Sequence, residues 1–374
     1  MSIPEHHLDA VYTPGSIDED APRTPPARVA AAMMMPLLFV VAFVLCYVSA
    51  LHNPLPHDLG LTIAGPSSTT QQLASAIDAQ ASGGFDITQT TDADAAVKAV
   101  GDRSAVGAIV IGASGSKPTV TIVTADAGGR IASTAVHSVG TRIATQLGTT
   151  ATVKDVAPLT SSDPNGVGLF YLIIISSIGG YLTITVLAQA IPRARRRTKL
   201  LTAVIAAVLT PIVAMIALSF SVGIFGMDFG QLAAVVGVDA IYVLAVALMA
   251  LFFNEVLGQA AILGVLVIVL ALNFPSTGGS VPESMLPPFW QAIHAVWFGS
   301  GALETFRSLI FFGGNGSGWP FARLLIWLAG AGLAWAAAFT VKGRRARTGG
   351  AARSSALVPQ DSGEAVAAAP AAAF

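Results

Sequence analysis

One acidic residue stands inside an apolar run long enough to cross a bilayer: Asp239, within residues 232–253. A charge at a bilayer centre costs at least ~2.5–3.5 kcal/mol on insertion scales, so such a residue faces a bundle interior or a wet cavity. There it can contact a substrate or a proton, or hold two helices together by a hydrogen bond. A second pair, Glu304 and Arg307, has i,i+3 spacing and can share one helical face. Pairing lowers the cost of burying both, and the same pair could form a gate. A third group, Arg193, Arg195, Arg196, Arg197 and Lys199, crowds positive charge into one short segment. It can anchor the chain's topology or meet anionic lipid headgroups. Residues 176–185 carry Ser176, Ser177, Gly179, Gly180, Tyr181, Thr183 and Thr185. Small residues let helices approach closely, which suits packing or a dimer contact, while the hydroxyls could line a polar path.

Other patterns carry less. His52, His57 and Asp58 surround a Pro-rich junction, but no third or fourth ligand has supporting spacing, so no metal is expected. Residues 112–117 (Gly-Ala-Ser-Gly-Ser-Lys) are Gly-rich but fail the G-x4-G-K-[ST] spacing of a phosphate loop. Asn315-Gly316-Ser317 matches a glycosylation acceptor and reads as a chance match. Order along the chain supplies no Ser-His-Asp geometry. No catalytic group and no cofactor is expected, and the chain does not read as an enzyme.

The elements that position these residues follow from composition. Of 374 residues, 53% are hydrophobic and only 11% charged, with a mean hydropathy of +0.69. A soluble domain carries about a quarter charged residues, so a bilayer must cover the rest of this surface. The net charge of −1 and the absence of a basic, aromatic-rich face exclude nucleic acid as a partner. The single cysteine, Cys46, allows no intrachain disulfide.

Residues 1–28, rich in proline and acids, read as a disordered tail. Residues 29–51 form a first apolar run. Val48-Ser49-Ala50 resembles a signal-cleavage site, but the run exceeds the about 7–15 residues of a signal core and reads as an uncleaved anchor. Residues 52–165 alternate apolar strands with amphipathic helices in the order β-α-β-α-β-β-α-β, which implies an α/β domain. Apolar runs at 167–190, 200–220, 232–253, 257–274 and 321–341 follow, with Pro211 a kink in the second. The expected fold is an all-α membrane bundle of six transmembrane helices, with an α/β domain between the first two. Residues 283–312, with Phe289, Trp290 and Trp297, read as two short interfacial or re-entrant helices. The end, 343–374, reads as a second disordered tail.

Lysine and arginine in short loops set orientation. Arg193–Lys199 and the group Lys342, Arg344, Arg345 and Arg347 are basic, whereas Gly226-Met227-Asp228-Phe229 is not. Both termini are therefore expected in the cytoplasm, with the α/β domain and residues 275–320 outside. The expected location is a bacterial inner membrane.

Residues 50–59 (Ala-Leu-His-Asn-Pro-Leu-Pro-His-Asp-Leu), running on to Gly65-Pro66, carry the most specific resemblance to a known family. Residues 281–290 (Val-Pro-Glu-Ser-Met-Leu-Pro-Pro-Phe-Trp) carry a weaker one. With the span layout, the chain over about residues 28–345 resembles the ABC-2-type permease superfamily, and more closely its YhgE/Pip-like branch. The resemblance implies a dimeric membrane subunit that exports an amphiphilic or lipid-like substrate, energised by a separate cytoplasmic ATPase. Asp239, Glu304 and Arg307 then become candidates for translocation or gating, and Arg193, Arg195, Arg196, Arg197 and Lys199 for the ATPase contact. Many members carry acids and a Gly-Thr in the loop after the second span; residues 191–199 are short and hold neither acid nor Gly-Thr. The alternative is a non-transporting envelope protein whose outer domain binds a ligand or partner.

Overall fold

The run Leu-Gly-Leu-Thr-Ile-Ala at Leu59–Ala64 forms β1, a strand with neighbours on both sides and almost wholly buried. Such a strand has no solvent face, which is why it reads as continuous rather than alternating hydrophobicity. The computed structural model describes residues 25–356. Chain order runs α1 (Pro26–Leu51), β1, α2 (Ser67–Gln80), β2 (Phe85–Thr90), α3 (Ala93–Gly101), β3 (Gly107–Ser114), β4 (Lys117–Thr124), α4 (Arg130–Gln146) and β5 (Ala151–Asp155). The sheet order is β2-β1-β3-β4-β5, all neighbours parallel except the β3–β4 hairpin. One layer joins Ile63, Ile109 and Ile122 of the sheet to Val136 and Ile143 of α4 and to Met285, Leu286 and Trp290. Another joins Ala108 and Val123 to Ala96 and Val100 of α3 and to Phe312.

The second half is helical: α5 (Gly168–Ala190), α6 (Arg196–Val222), α7 (Phe229–Leu257), α8 (Ala261–Val265), α9 (Asn273–Ser276), α10 (Pro288–Val296), α11 (Phe298–Phe311) and α12 (Gly318–Ala356). Among the described residues, four helices are long and apolar enough to cross a membrane: α5, α6, α7 and α12 through Val341. The protein is thus mostly helical, carries a small α/β sheet, and has the character of a membrane protein. Of α7's apolar window 67% is buried, against 17% for α12, so α7 is the core of the bundle. A capping box starts α7: Asp228 accepts from the Gln231 backbone N–H at 2.8 Å, and the Gln231 side chain accepts from the Asp228 N–H at 3.1 Å.

Three expectations differ from the structure. Residues 257–274 do not form one helix. A 3-10 turn at Gly258–Ala260 follows α7, then α8, a π-helical stretch at Leu266–Leu272 and α9. Gly258 takes φ +58° and ends the run of α7. The helical run Ala261–Ser276 is shorter than a span, whereas α1, where the first span is expected, is one helix over Pro26–Leu51. The tail expected from residue 343 is helical through Ala356, and residues 26–28 already belong to α1. Residues 1–24 and 357–374, the remainder of both expected tails, lie outside the described residues. Lys117 and Pro118 open β4, where Pro118 pairs with Ala113.

By packing, the described residues divide within α1, between Val44 and Leu45. The described part of the first unit is helix from Pro26, with the Phe39 and Phe43 rings tilted at 47° and 5.7 Å between centroids.

Candidate functional site

Glu304 sits where the sheet meets α11. Asp92 caps the start of α3, accepting from the backbone N–H groups of Asp94 at 2.9 Å and Ala95 at 3.2 Å. Past the end of α3, Arg103 adopts φ +65°, a left-handed conformation that is strained for any residue with a Cβ. The turn sends its side chain to α11. There Nη2 ion-pairs with Glu304 Oε2, while Nη1 donates to Ser308 Oγ at 2.5 Å and to the Glu304 carbonyl at 3.2 Å. The guanidinium lies 4.9 Å from the centre of the Phe312 ring. Glu304 Oε1 accepts from Arg307 Nη1 at 2.6 Å, so the expected i,i+3 pair forms. Arg307 Nη2 donates to the Gly278 carbonyl at 2.8 Å. Gly278 has φ +78°, and a Cβ there would stand 2.9 Å from the His294 ring, so only glycine fits.

Electrostatics follow from this geometry. Burial alone would raise the Glu304 carboxyl, but the Arg307 and Arg103 guanidiniums outweigh it and hold the group down at about 2. His294, on α10, donates from Nδ1 to the Ser276 carbonyl at 2.8 Å, and its Nε2 lies 3.4 Å from Glu283. Burial lowers its pKa, against the opposing pull of the Glu283 and Glu304 carboxylates. Arg323 of α12 donates to the His294 carbonyl at 2.8 Å. Cavities of about 180 Å³ and 290 Å³ flank this network, one toward Pro282 and Arg307, the other toward Trp319 and Arg323.

Asp239 lies in a second, separate cluster within the bundle. It is 1% exposed, and Ser176 Oγ of α5 donates to its Oδ2 at 2.7 Å. One turn along α7, the Tyr242 hydroxyl lies 2.6 Å from Ser177 Oγ and accepts from Asn273 Nδ2 of α9 at 2.9 Å. Gly180 of α5 permits this approach: a Cβ would stand 3.1 Å from the Val243 carbonyl of α7.

The basic segment divides. Lys199 ion-pairs with Glu255 of α7. Arg196 stacks 5.2 Å from the Trp335 ring and 5.6 Å from Phe339 of α12. Arg193, Arg195 and Arg197 are exposed. The segment borders a cleft of about 510 Å³, with walls of Ile184, Leu187, Leu251 and Val265 and polar lining from Gln189, Lys199, Asn254 and Glu255.

The structure therefore unites Glu304 and Arg307 and keeps Asp239 and the basic segment apart from them. Sequence reasoning missed Arg103, His294, Arg323, Tyr242 and Asn273. Asn273 and Arg323 left signals, an amide inside the run 257–274 and a charge inside the run 321–341. His52 and His57 each turn to a nearby carbonyl, of Val48 at 2.6 Å and Leu55 at 2.7 Å. Residues 114–117 form the β3–β4 hairpin, with Gly115 at φ +63°. Among the described residues no group of three or more His, Cys, Asp or Glu could hold a metal. No family model matches the chain, nor does any curated protein or solved structure.

Proposed function

We propose that this chain is the membrane permease subunit of an ABC-2-type exporter. It works as a dimer in a bacterial inner membrane, moves an amphiphilic or lipid-like substrate, and is energised by a separate cytoplasmic ATPase. In this reading both termini and residues 191–199 face the cytoplasm, α1 and, as a shorter and irregular crossing, Ala261–Ser276 complete six spans, and the sheet lies outside.

One observation supports it above the others: polar sites recur along a bundle that is otherwise apolar. The cleft beside Lys199 and Glu255 offers apolar walls with a polar floor, the lining an amphiphile needs. Going along α7, Asp239 lies about 24 Å from Glu255, and Asp228 a further ~16 Å on, at 1.5 Å per residue. At that far end Gln231 donates to the Leu309 carbonyl of α11 at 3.1 Å, next to the Glu304 network. A polar head would thus meet a polar group near each end of α7 and at its middle. The exposed Arg193, Arg195 and Arg197 offer an ATPase a charged surface.

A second reading is favoured by residues 191–199, which lack the acids that the superfamily's loop carries. In that reading the chain transports nothing, and its sheet binds an envelope partner. The test is affinity purification of the tagged full-length protein in mild detergent, followed by identification of what accompanies it. Stoichiometric recovery of a nucleotide-binding ATPase, lost in the double variant Arg195→Glu, Arg197→Glu, supports the exporter. Recovery alone, or with envelope proteins only, overturns it in favour of the second reading.

A further inference from the structure

We infer that the Asp239 cluster is a binding site for one monovalent cation taken from water, a proton or a sodium ion. The argument is a census of donors and acceptors. Ser176 spends its hydroxyl proton on Asp239 Oδ2. Ser177 spends its own on the Ile173 carbonyl at 2.7 Å, so the Tyr242 hydroxyl must be the donor in their 2.6 Å contact. Asn273 Nδ2 then donates to Tyr242. Every hydroxyl donor in the cluster is used and Asn273 Nδ2 keeps a single spare N–H, yet two acceptors remain, Asp239 Oδ1 and Asn273 Oδ1, both buried and without a partner. Asp239 is 1% exposed and Asn273 0%. A cluster with surplus acceptors is completed by something that brings positive charge or a proton.

Charge gives the same answer. Burying an ionised carboxylate without compensation costs several kcal/mol, and no basic side chain bonds to Asp239 among the described residues. The charged groups on the packed helices are committed elsewhere. On α11, Glu304 and Arg307 pair with each other, and Arg323 of α12 binds the His294 carbonyl. On α6, Lys199 pairs with Glu255, Arg196 stacks on Trp335, and Arg197 is exposed at the helix start. Tyr242 is the one other titratable group in the cluster. A single carboxylate balances a single positive charge, which selects a monovalent over a divalent ion. Binding makes no covalent change beyond an O–H bond in the proton case, with the proton drawn from water. The oxygens are neutral apart from Asp239, so the site reads the ion's charge through that one residue.

The cluster also touches the rest of the machinery. Asn273 Oδ1 abuts Gly299 at the start of α11, where a Cβ would overlap it, and Tyr242 stacks on Phe298 with centroids 5.5 Å apart. Ion occupancy is thereby felt by the helix that carries Glu304. Use of the ion to drive or gate export rests on the permease reading; binding itself does not.

The test uses the purified full-length protein in detergent, without ATPase or substrate, so its outcome is separate from the fate of the permease reading. Thermal unfolding is followed while sodium replaces choline at constant ionic strength, and separately while pH is lowered without sodium. A saturable stabilisation by sodium identifies that ion; stabilisation by acid alone identifies the proton. In either case Asp239→Asn must lose the response. If Asp239→Asn does not fold, Asn273→Ala replaces it; this deletes one unpartnered oxygen and should raise the half-saturating ion concentration about tenfold, the worth of one lost ligand contact. A wild-type protein indifferent to both ions, or a variant that responds as the wild type does, overturns the inference.

Discussion

Glu304 divides its two oxygens between two arginines, one from its own helix and one from the sheet, and this division sets the cost of each substitution. Arg103→Ala leaves Glu304 paired with Arg307 and should cost about 1–3 kcal/mol, the price of an unmade charged hydrogen bond. Glu304→Gln strands the buried Arg307 guanidinium and the half-buried Arg103 guanidinium and should cost more, about 3–5 kcal/mol. Thermal unfolding in detergent measures both; equal costs would contradict the division. The pH dependence has a definite sign. The folded Glu304 carboxyl titrates at about 2, below the ordinary ~4.3, so the unfolded chain takes up its proton first. The stabilisation is complete above pH ~4.3 and is lost as pH falls toward 2. Tryptophan fluorescence against pH should show this acid leg in the wild type and not in Glu304→Gln. The pair Glu304–Arg307 was legible in the sequence because i,i+3 spacing is local. Arg103 was not, because it acts across 201 residues of chain, and nothing in a hydrophilic turn after a helix names its distant partner.

Helices and strands were read well wherever periodicity was strong. The order β-α-β-α-β-β-α-β over residues 52–165 is the order observed, and the run 167–190 matches Gly168–Ala190 to within a residue, because burial on one or both sides writes itself into the pattern. The stretch 257–276 was misread because its hydropathy is continuous, while Gly258 and a π-helical segment break its backbone. Hydropathy records what surrounds a residue, not how the backbone winds. Close approach was legible only as composition: the small residues of α5 signalled packing, and the structure shows Gly180 against the Val243 carbonyl of α7. Gly180→Val should push α5 from α7 and loosen the Ser176–Asp239 bond. A loss of about 1–3 kcal/mol is expected, as for other overpacked cores, while Gly237→Ala, where a Cβ would meet nothing, should be neutral. The same unfolding assay compares them.

At the scale of the whole molecule, the proposed orientation can be tested with two engineered thiols. In a Cys46→Ser background, Ser116→Cys in the β3–β4 hairpin should react with a membrane-impermeant maleimide in intact cells. Arg195→Cys should react only after permeabilisation. The reverse pattern would invert the protein and move the basic segment away from any cytoplasmic ATPase. The sheet's attachment has a mechanical consequence. It is fastened to the segment 278–315 at several points: Arg103 to Glu304 and Ser308, the His57 N–H to the Ser284 carbonyl at 2.8 Å, Gln291 to the His57 carbonyl at 3.3 Å, and Asn315 to Asp102 at 3.3 Å. A body bolted at that many places cannot swivel on a tether; it transmits torque. The sheet is a rigid handle on α11, so a force applied at its far hairpin, by an antibody fragment or a cell-wall polymer, would arrive at Glu304 as a rotation of that helix.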